Sequence, residues 1–292
     1  MTATPHLFSF GHGYSARALT PLLLARGWTV TGTTRSPDKA AELAASGVIP
    51  LVLPHDDPAP ALARATHLLI SAGPTADGDP ALTLLRPHLD AVAPALAWAG
   101  YLSTTGVYGD HAGGWVDEDT RLTPATRRGA LRVGAEAAWR AFAAETGLKL
   151  HIFRLAGIYG PGRGPFAKVR AGTARRILKP GQVFSRIHVD DIAQVLAASI
   201  DRPRPGAVYN VCDDDPAPPQ EVLSHAARLL GLPDPPAEDW DTADMTPMAR
   251  SFYAESKRVR NALIKQELGV RLRYPDYRSG LAALLASETA AP

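Results

Sequence analysis

Cysteine is nearly absent: Cys212 is the single example among 292 residues. A disulfide within the chain and a cysteine-built zinc site are therefore excluded. The nine histidines, at 6, 12, 55, 67, 88, 111, 151, 188 and 225, contain no His-Glu-x-x-His pairing, so no metal centre is expected. No apolar run reaches the roughly 18 residues that would cross a bilayer, so no membrane partner is expected. The stretch Met1–Pro5 shows no basic segment leading into a long apolar one, and the expected compartment is the reducing cytoplasm. Charge of one sign is also lacking. With 31 Lys+Arg against 29 Asp+Glu the formal net charge is +2, and no dense basic block occurs. A dedicated nucleic-acid partner is not expected from such a balance.

What is present is punctuation. The 25 glycines and 26 prolines divide the chain into short apolar segments without setting up a repeat. Apolar runs over 6–10, 28–33, 48–53, 67–71, 99–103 and 148–154 read as strands. Helical patterns over 15–26, 37–46, 58–64, 80–98 and 126–146 lie between them. Pro21 predicts a kink in the first helix or a shifted helix start. On the 126–146 helix, Leu131, Ala135, Ala138 and Phe142 share a face. Further on, helices are expected at 190–201 and 219–230, a strand at 207–212, an irregular 232–250, and short helices at 255–268 and 277–286.

Strand–helix alternation over about 150 residues implies an α/β fold, a doubly wound parallel sheet of Rossmann type. Ligands of such sheets bind at the carboxyl ends of the strands. The expected division is a dinucleotide-binding domain over 1–160, to which 188–212 and parts of 251–268 return. A smaller C-terminal substrate lobe would come from 161–187, 213–250 and the tail.

The first strand runs into Gly11-His12-Gly13-Tyr14-Ser15-Ala16, a G-x-G-x-x-A turn before a helix. Gly11 permits the tight turn, Gly13 lets a pyrophosphate approach the backbone, and Ala16 lets helix pack on strand. The phosphates would sit on the helix N-terminus. An ordinary turn is the competing reading. The second strand ends in Thr33-Thr34-Arg35 with no acidic residue, which favours NADP over NAD, since a guanidinium suits a 2′-phosphate. Ser71-Ala72-Gly73 ends the fourth strand where a cofactor would pass. Asp56 is a weaker candidate for an adenine contact.

Four segments resemble the extended short-chain dehydrogenase/reductase proteins, the group of nucleotide-sugar epimerases and dehydratases. They are Gly11–Ala16, Ser103-Thr-Thr-Gly-Val-Tyr-Gly109, Arg154-Leu-Ala-Gly-Ile-Tyr-Gly-Pro-Gly162 and His188-Val-Asp-Asp-Ile192. The resemblance implies a Tyr-x-x-x-Lys pair on the helix after the fifth strand, with a Ser or Thr beside it. By counting, those positions fall on Arg128, Arg132 and Thr104. An arginine cannot exchange a proton near neutrality. The resemblance is therefore to an atypical branch in which Thr104 and Tyr108 would carry catalysis. The only Tyr-x-x-x-Lys of the chain, Tyr253 to Lys257, lies far along the sequence from that helix. Among Arg163, Arg170, Arg175, Arg176 and Arg186, the substrate contacts expected are Arg163 and Arg186, with Tyr159. They suit an anionic or nucleotide-sugar-like small molecule. The implied function is an NADP-dependent oxidoreductase or epimerase with a non-standard acid/base set. The alternative is a catalytically silent NADP-binding sensor or scaffold. His188 is expected to cap a helix, and Cys212 to be an inert buried thiol. The sequence carries no sign of the oligomeric state.

Overall fold

The computed structural model describes residues 4–290; Met1–Ala3, and with them most of the stretch read for a leader, lie outside the described residues. The first half runs β1 (His6–Phe10), α1 (Tyr14–Leu24), β2 (Thr29–Thr34), α2 (Pro37–Ala45), β3 (Ile49–Val52), α3 (Ala59–Leu62), β4 (His67–Ile70), α4 (Pro80–Val92) and β5 (Trp98–Thr104). Then come β6 (Trp115–Val116), α5 (Arg127–Thr146), β7 (Leu150–Leu155), β8 (Gly157–Tyr159), α6 (Phe166–Arg170), β9 (Arg176–Leu178), β10 (Arg186–His188), α7 (Val189–Asp201) and β11 (Val208–Val211). The last part holds α8 (Pro219–Leu229), β12 (Ala237–Asp239), α9 (Pro247–Phe252), β13 (Arg258–Val259), α10 (Ala262–Gln266) and α11 (Tyr277–Ala290).

The described residues form one seven-stranded sheet in the order β3-β2-β1-β4-β5-β7-β11, every neighbouring pair parallel. Chain order reverses between β1 and β4, the place where a doubly wound sheet opens a crevice. Period-two alternation buries both faces. Leu7 and Leu69 point into a core shared with Leu19 and Leu23 of α1 and Ile192 and Leu196 of α7. Phe8, Leu68 and Ile70 point into the opposite core, with Leu85 and Leu89 of α4 and Trp139 and Phe142 of α5. Each such fully buried side chain adds ~1.5–3 kcal/mol. A third core joins Tyr159 of β8, Phe166 of α6, Val222 of α8 and Leu281 of α11.

Pro21 sits inside α1, which begins at Tyr14 and so is not shifted past it. The helix at 126–146 is capped by Thr126, whose hydroxyl accepts from the Gly129 amide, and stops at Gly147 in the left-handed region. Its buried face is turned from the expected one. Ala135, Trp139 and Phe142 face the core together with Glu136, whereas Ala138 is exposed. Trp139, the largest side chain on the helix, takes the core position. The expected helix over 255–268 is instead β13 followed by the short α10. β13 pairs in parallel with β6, and β8–β10 and β9–β12 form two further two-stranded parallel pairs.

Among the described residues no helix is long and apolar enough to cross a membrane.

Candidate active site

A cleft of about 880 Å³ opens at the carboxyl ends of β1, β4 and β5. Its floor is the turn between β1 and α1. The Gly11 amide donates to Thr33 Oγ1 at 2.7 Å, and the His12 amide to the Thr33 carbonyl at 2.9 Å. This ties the turn to the end of β2. Gly11 has φ +74°, and a Cβ there would lie 2.9 Å from the Ala72 amide nitrogen, so only glycine fits. Gly13 is exposed, and a Cβ there would meet only the Gly11 carbonyl at 3.7 Å.

The structure places Gly11, Gly13, Tyr14, Ser15, Ser71, Gly73, Thr104, Tyr159, Arg163 and Arg186 on the wall of this single cleft. The other sequence candidates lie beside it. Ala16 is buried where α1 packs on the sheet. His12 is buried, hydrogen-bonded through Nε2 to the Thr20 hydroxyl at 3.1 Å, and its pKa is pushed down to about 4 by burial, then by Arg17. Its ring fills the space over Gly32, a packing role the turn motif did not reveal. Ala72 packs under Gly11. The Thr33 hydroxyl is taken by Gly11, and that of Thr34 accepts from the Ser36 amide at 3.2 Å. Of the trio expected at a 2′-phosphate, Arg35 alone stands exposed and uncommitted among the described residues. Asp56 is held by the Val52 amide at 2.6 Å, in a loop outside the cleft wall.

The expectation for Tyr108 is corrected. Its ring is fully buried, and its hydroxyl donates to Asn210 Oδ1 at 2.7 Å while accepting from Arg154 Nη1 at 2.9 Å. Burial pushes its pKa up to about 12, against the pull of the Arg154 guanidinium. The phenol points into a buried network instead of the cleft. Beneath it Glu136 accepts from Ser103 Oγ at 2.5 Å and forms a two-point ion pair with Arg154. Thr104, by contrast, faces the cleft, and its Oγ1 accepts from the Gly106 amide at 3.1 Å. Its own O–H is therefore free to donate.

Arg128 and Arg132 stand one turn apart on α5 and both line the cleft. The Arg132 Nη1 donates to the Leu102 carbonyl at 2.7 Å and to the Tyr101 hydroxyl at 3.0 Å. Its Nη2 approaches Gly73, so the side chain reaches from α5 to the end of β4. Arg128 lies over the Phe252 ring at 4.6 Å and donates to Ser251 Oγ at 3.2 Å. A close approach of α5 to the loop after β5 makes this geometry possible: a Cβ at Gly129 would meet the Gly106 carbonyl at 2.7 Å.

Sequence reasoning missed one part of the wall. The segment with Ser251, Phe252, Glu255 and Lys257 returns to the cleft. Lys257 Nζ donates to the Gly109 carbonyl at 2.7 Å and to Glu255 Oε2 at 2.6 Å, while Glu255 Oε1 is buried without a partner. The Tyr253-to-Lys257 spacing was visible, but only tertiary closure brings Lys257 to this wall. Tyr253 itself packs against Phe184 and Trp240. Of the remaining arginines, Arg170, Arg175 and Arg176 are paired with Glu288, Glu238 and Asp234. His188 caps α7, its Nδ1 accepting from the Asp190 amide at 3.2 Å. Cys212 is buried, and its thiol is pushed up by desolvation. Among the described residues no group of three or more His, Cys, Asp or Glu side chains is placed to hold a metal ion.

A parallel doubly wound sheet, a glycine turn under a helix N-terminus and a cleft at the strand-order reversal define an α/β protein of the Rossmann type. The family model described as NAD dependent epimerase/dehydratase family matches residues 96–212. That match places an NAD-dependent epimerase/dehydratase family domain on β5 through β11 of the chain. It is similar to a conserved, functionally unknown protein of Silicibacter pomeroyi DSS, with 61% identity, a TM-score of 0.93, and coverage of 97% of this chain and 99% of that one. It is 29% identical over 279 residues to protein YeeZ of Escherichia coli (strain K12), covering 91% of this chain and 95% of that protein. The fold also matches dTDP-glucose 4,6-dehydratase of Bacillus anthracis str. Ames in complex with NAD, at 16% identity and a TM-score of 0.80, over 99% of this chain and 98% of that one.

Proposed function

We propose that the protein is a nicotinamide-dinucleotide-dependent enzyme that interconverts hydroxyl and carbonyl groups, as an oxidoreductase or epimerase, on a small anionic substrate. The observation that carries this reading is the cleft wall itself. Arg128, Arg132, Arg163, Arg186 and Lys257 supply five cations against one carboxylate, Glu255. The Gly11–Ser15 turn offers a bare backbone at the head of α1, which fits a pyrophosphate: Gly13 is exposed without a side chain, and the glycine at 11 cannot be replaced. Ser71, Gly73 and Arg132 continue that path. When bound, the dinucleotide would supply hydride chemistry.

The chain's own groups then divide the remaining work. Thr104 donates a hydrogen bond to the substrate oxygen. Arg128 does not move a proton, but a fixed guanidinium stabilises negative charge on that oxygen. Glu255, the one carboxylate on the cleft wall among the described residues, is the proton acceptor, and Lys257 holds it in place. The lobe around the third core covers the substrate. Arg35 supports NADP over NAD, since no carboxylate stands at the end of β2 to repel a 2′-phosphate.

Titration of the purified protein with NADPH and NADH tests the reading. Micromolar binding of NADPH with NADH about tenfold weaker is the expected result. No binding of either would refute it. Tight binding without turnover on any carbonyl compound would favour a silent sensor.

A further inference from the structure

A second cavity, of about 450 Å³, adjoins the cleft and shares Ile158, Tyr159, Arg163 and Arg186 with it. Its far wall is apolar: Pro165, Val222, Leu223 and Leu281 come from the smaller lobe. The polar side chains that reach it are two guanidiniums and the phenols of Tyr159 and Tyr277. Among the described residues it has no carboxylate, amide or aliphatic hydroxyl on its wall. A sugar or a nucleobase needs acceptors as well as donors along its edges, and a guanidinium only donates.

Arg186 is the central group. Its Nη1 donates to the carbonyls of Phe184 at 2.8 Å and Ala217 at 3.0 Å. Its Nε and Nη2 have no hydrogen-bond partner among the described residues, and no carboxylate lies within 4.0 Å in an ion pair. Desolvation lowers its pKa, with the Asp213 carboxyl opposing. This guanidinium has no contact ion pair among the described residues, and its free Nε–Nη2 edge matches the two oxygens of a carboxylate. Arg163, exposed and stacked over Tyr14 at 5.6 Å, adds a second cation at the mouth.

We propose that this cavity seats the apolar body of the substrate while Arg186, assisted by Arg163, holds its carboxylate, so that the substrate class is an aryl or branched-alkyl carboxylic acid. This deepens the reading of the adjoining cleft as the dinucleotide site and rests on it, because the reacting carbon must lie between the two cavities. A nucleotide sugar would leave the apolar wall facing polar atoms, at the cost of their lost hydrogen bonds.

The test is calorimetric binding of three probes, trans-cinnamate, cinnamyl alcohol and UMP. It uses the full chain with and without NADPH, in the wild type and in the variants Arg186→Met and Leu223→Trp. Cinnamate should bind about tenfold or more tightly than the neutral alcohol, and UMP should bind more weakly than cinnamate. Arg186→Met should lose cinnamate binding by about tenfold. Leu223→Trp fills the cavity without touching the cleft, so it should block cinnamate and leave NADPH affinity unchanged; it decides the matter if Arg186→Met does not fold. Equal binding of acid and alcohol, tighter binding of UMP, or cinnamate binding untouched by Leu223→Trp would overturn the proposal. NADPH binding without cinnamate binding would overturn this inference alone. Cinnamate binding that passes the variant tests without NADPH binding would sink the dinucleotide reading and leave the carboxylate site standing.

Discussion

Replacing Arg154 by methionine would strand a charge in the protein interior. Glu136 is fully buried and Arg154 is 3% exposed. The carboxylate accepts from Arg154 Nε at 3.2 Å and Nη2 at 2.9 Å, from Ser103 at 2.5 Å and from Arg140 at 3.0 Å. Without Arg154 it retains one hydroxyl and one arginine that is 42% exposed and screened by water. Breaking a buried pair from one side costs about 3–5 kcal/mol. At roughly 2–4 °C per kcal/mol for a chain near this size, the melting temperature should fall by about 6–20 °C. Arg140 moves the expectation toward the lower end. Urea unfolding followed by circular dichroism at pH 7 gives the free energy directly. The double variant Arg154→Met with Glu136→Leu removes both charges and should recover most of the loss. A single variant within about 1 kcal/mol of wild type, or a double variant no better than the single, would refute this account of the network.

Three further outcomes are expected. Tyr108→Phe should lower stability by about 1–3 kcal/mol, because Asn210 and Arg154 each lose a partner, while NADPH affinity stays at the wild-type value by fluorescence titration. Gly11→Ala should weaken NADPH binding at least about tenfold, because a Cβ at φ +74° meets the Ala72 backbone; unchanged affinity would show that the turn does not meet the dinucleotide. Both carboxyl oxygens of Asp213 are buried without a hydrogen-bond partner, and desolvation raises its pKa from 3.8 to about 8. Its protonated form is favoured in the fold, so stability drains away as pH rises from about 4 to 8. Asp213→Asn should therefore stabilise the protein at pH 9 and change little at pH 4, as read from melting curves at the two pH values.

The alternation of strand and helix was legible because each period is local: residues two or four apart state which face is apolar. The glycine turn was legible for the same reason, since its meaning depends on a strand before it and a helix after it. The catalytic surroundings were not. Tyr108 sits in a suggestive loop, and only the partners 46 and 102 positions away, Arg154 and Asn210, show that its hydroxyl points inward. Likewise the basic run at 163–186 reads as one cluster, yet Arg170, Arg175 and Arg176 are neutralised by acids far along the chain. The two- and three-residue strands β6, β8, β9, β10, β12 and β13 are too short for any periodicity. They exist because distant segments meet, so no window of sequence announces them.

The pairing of β6 with β13, together with the bond from Lys257 to the Gly109 carbonyl 148 positions earlier, also sets the order in which the molecule is assembled. Such remote closures form late, since the loop entropy must be met before the contact returns anything. A growing chain can stack β1 to β5 and β7, but it has one open side to its cleft until residue 259 is free to join β6. A ligand that needs that wall therefore gives no help to early intermediates and stabilises only nearly finished molecules. A chain that ended before β13 would lack that wall, and such a ligand would add nothing to its stability.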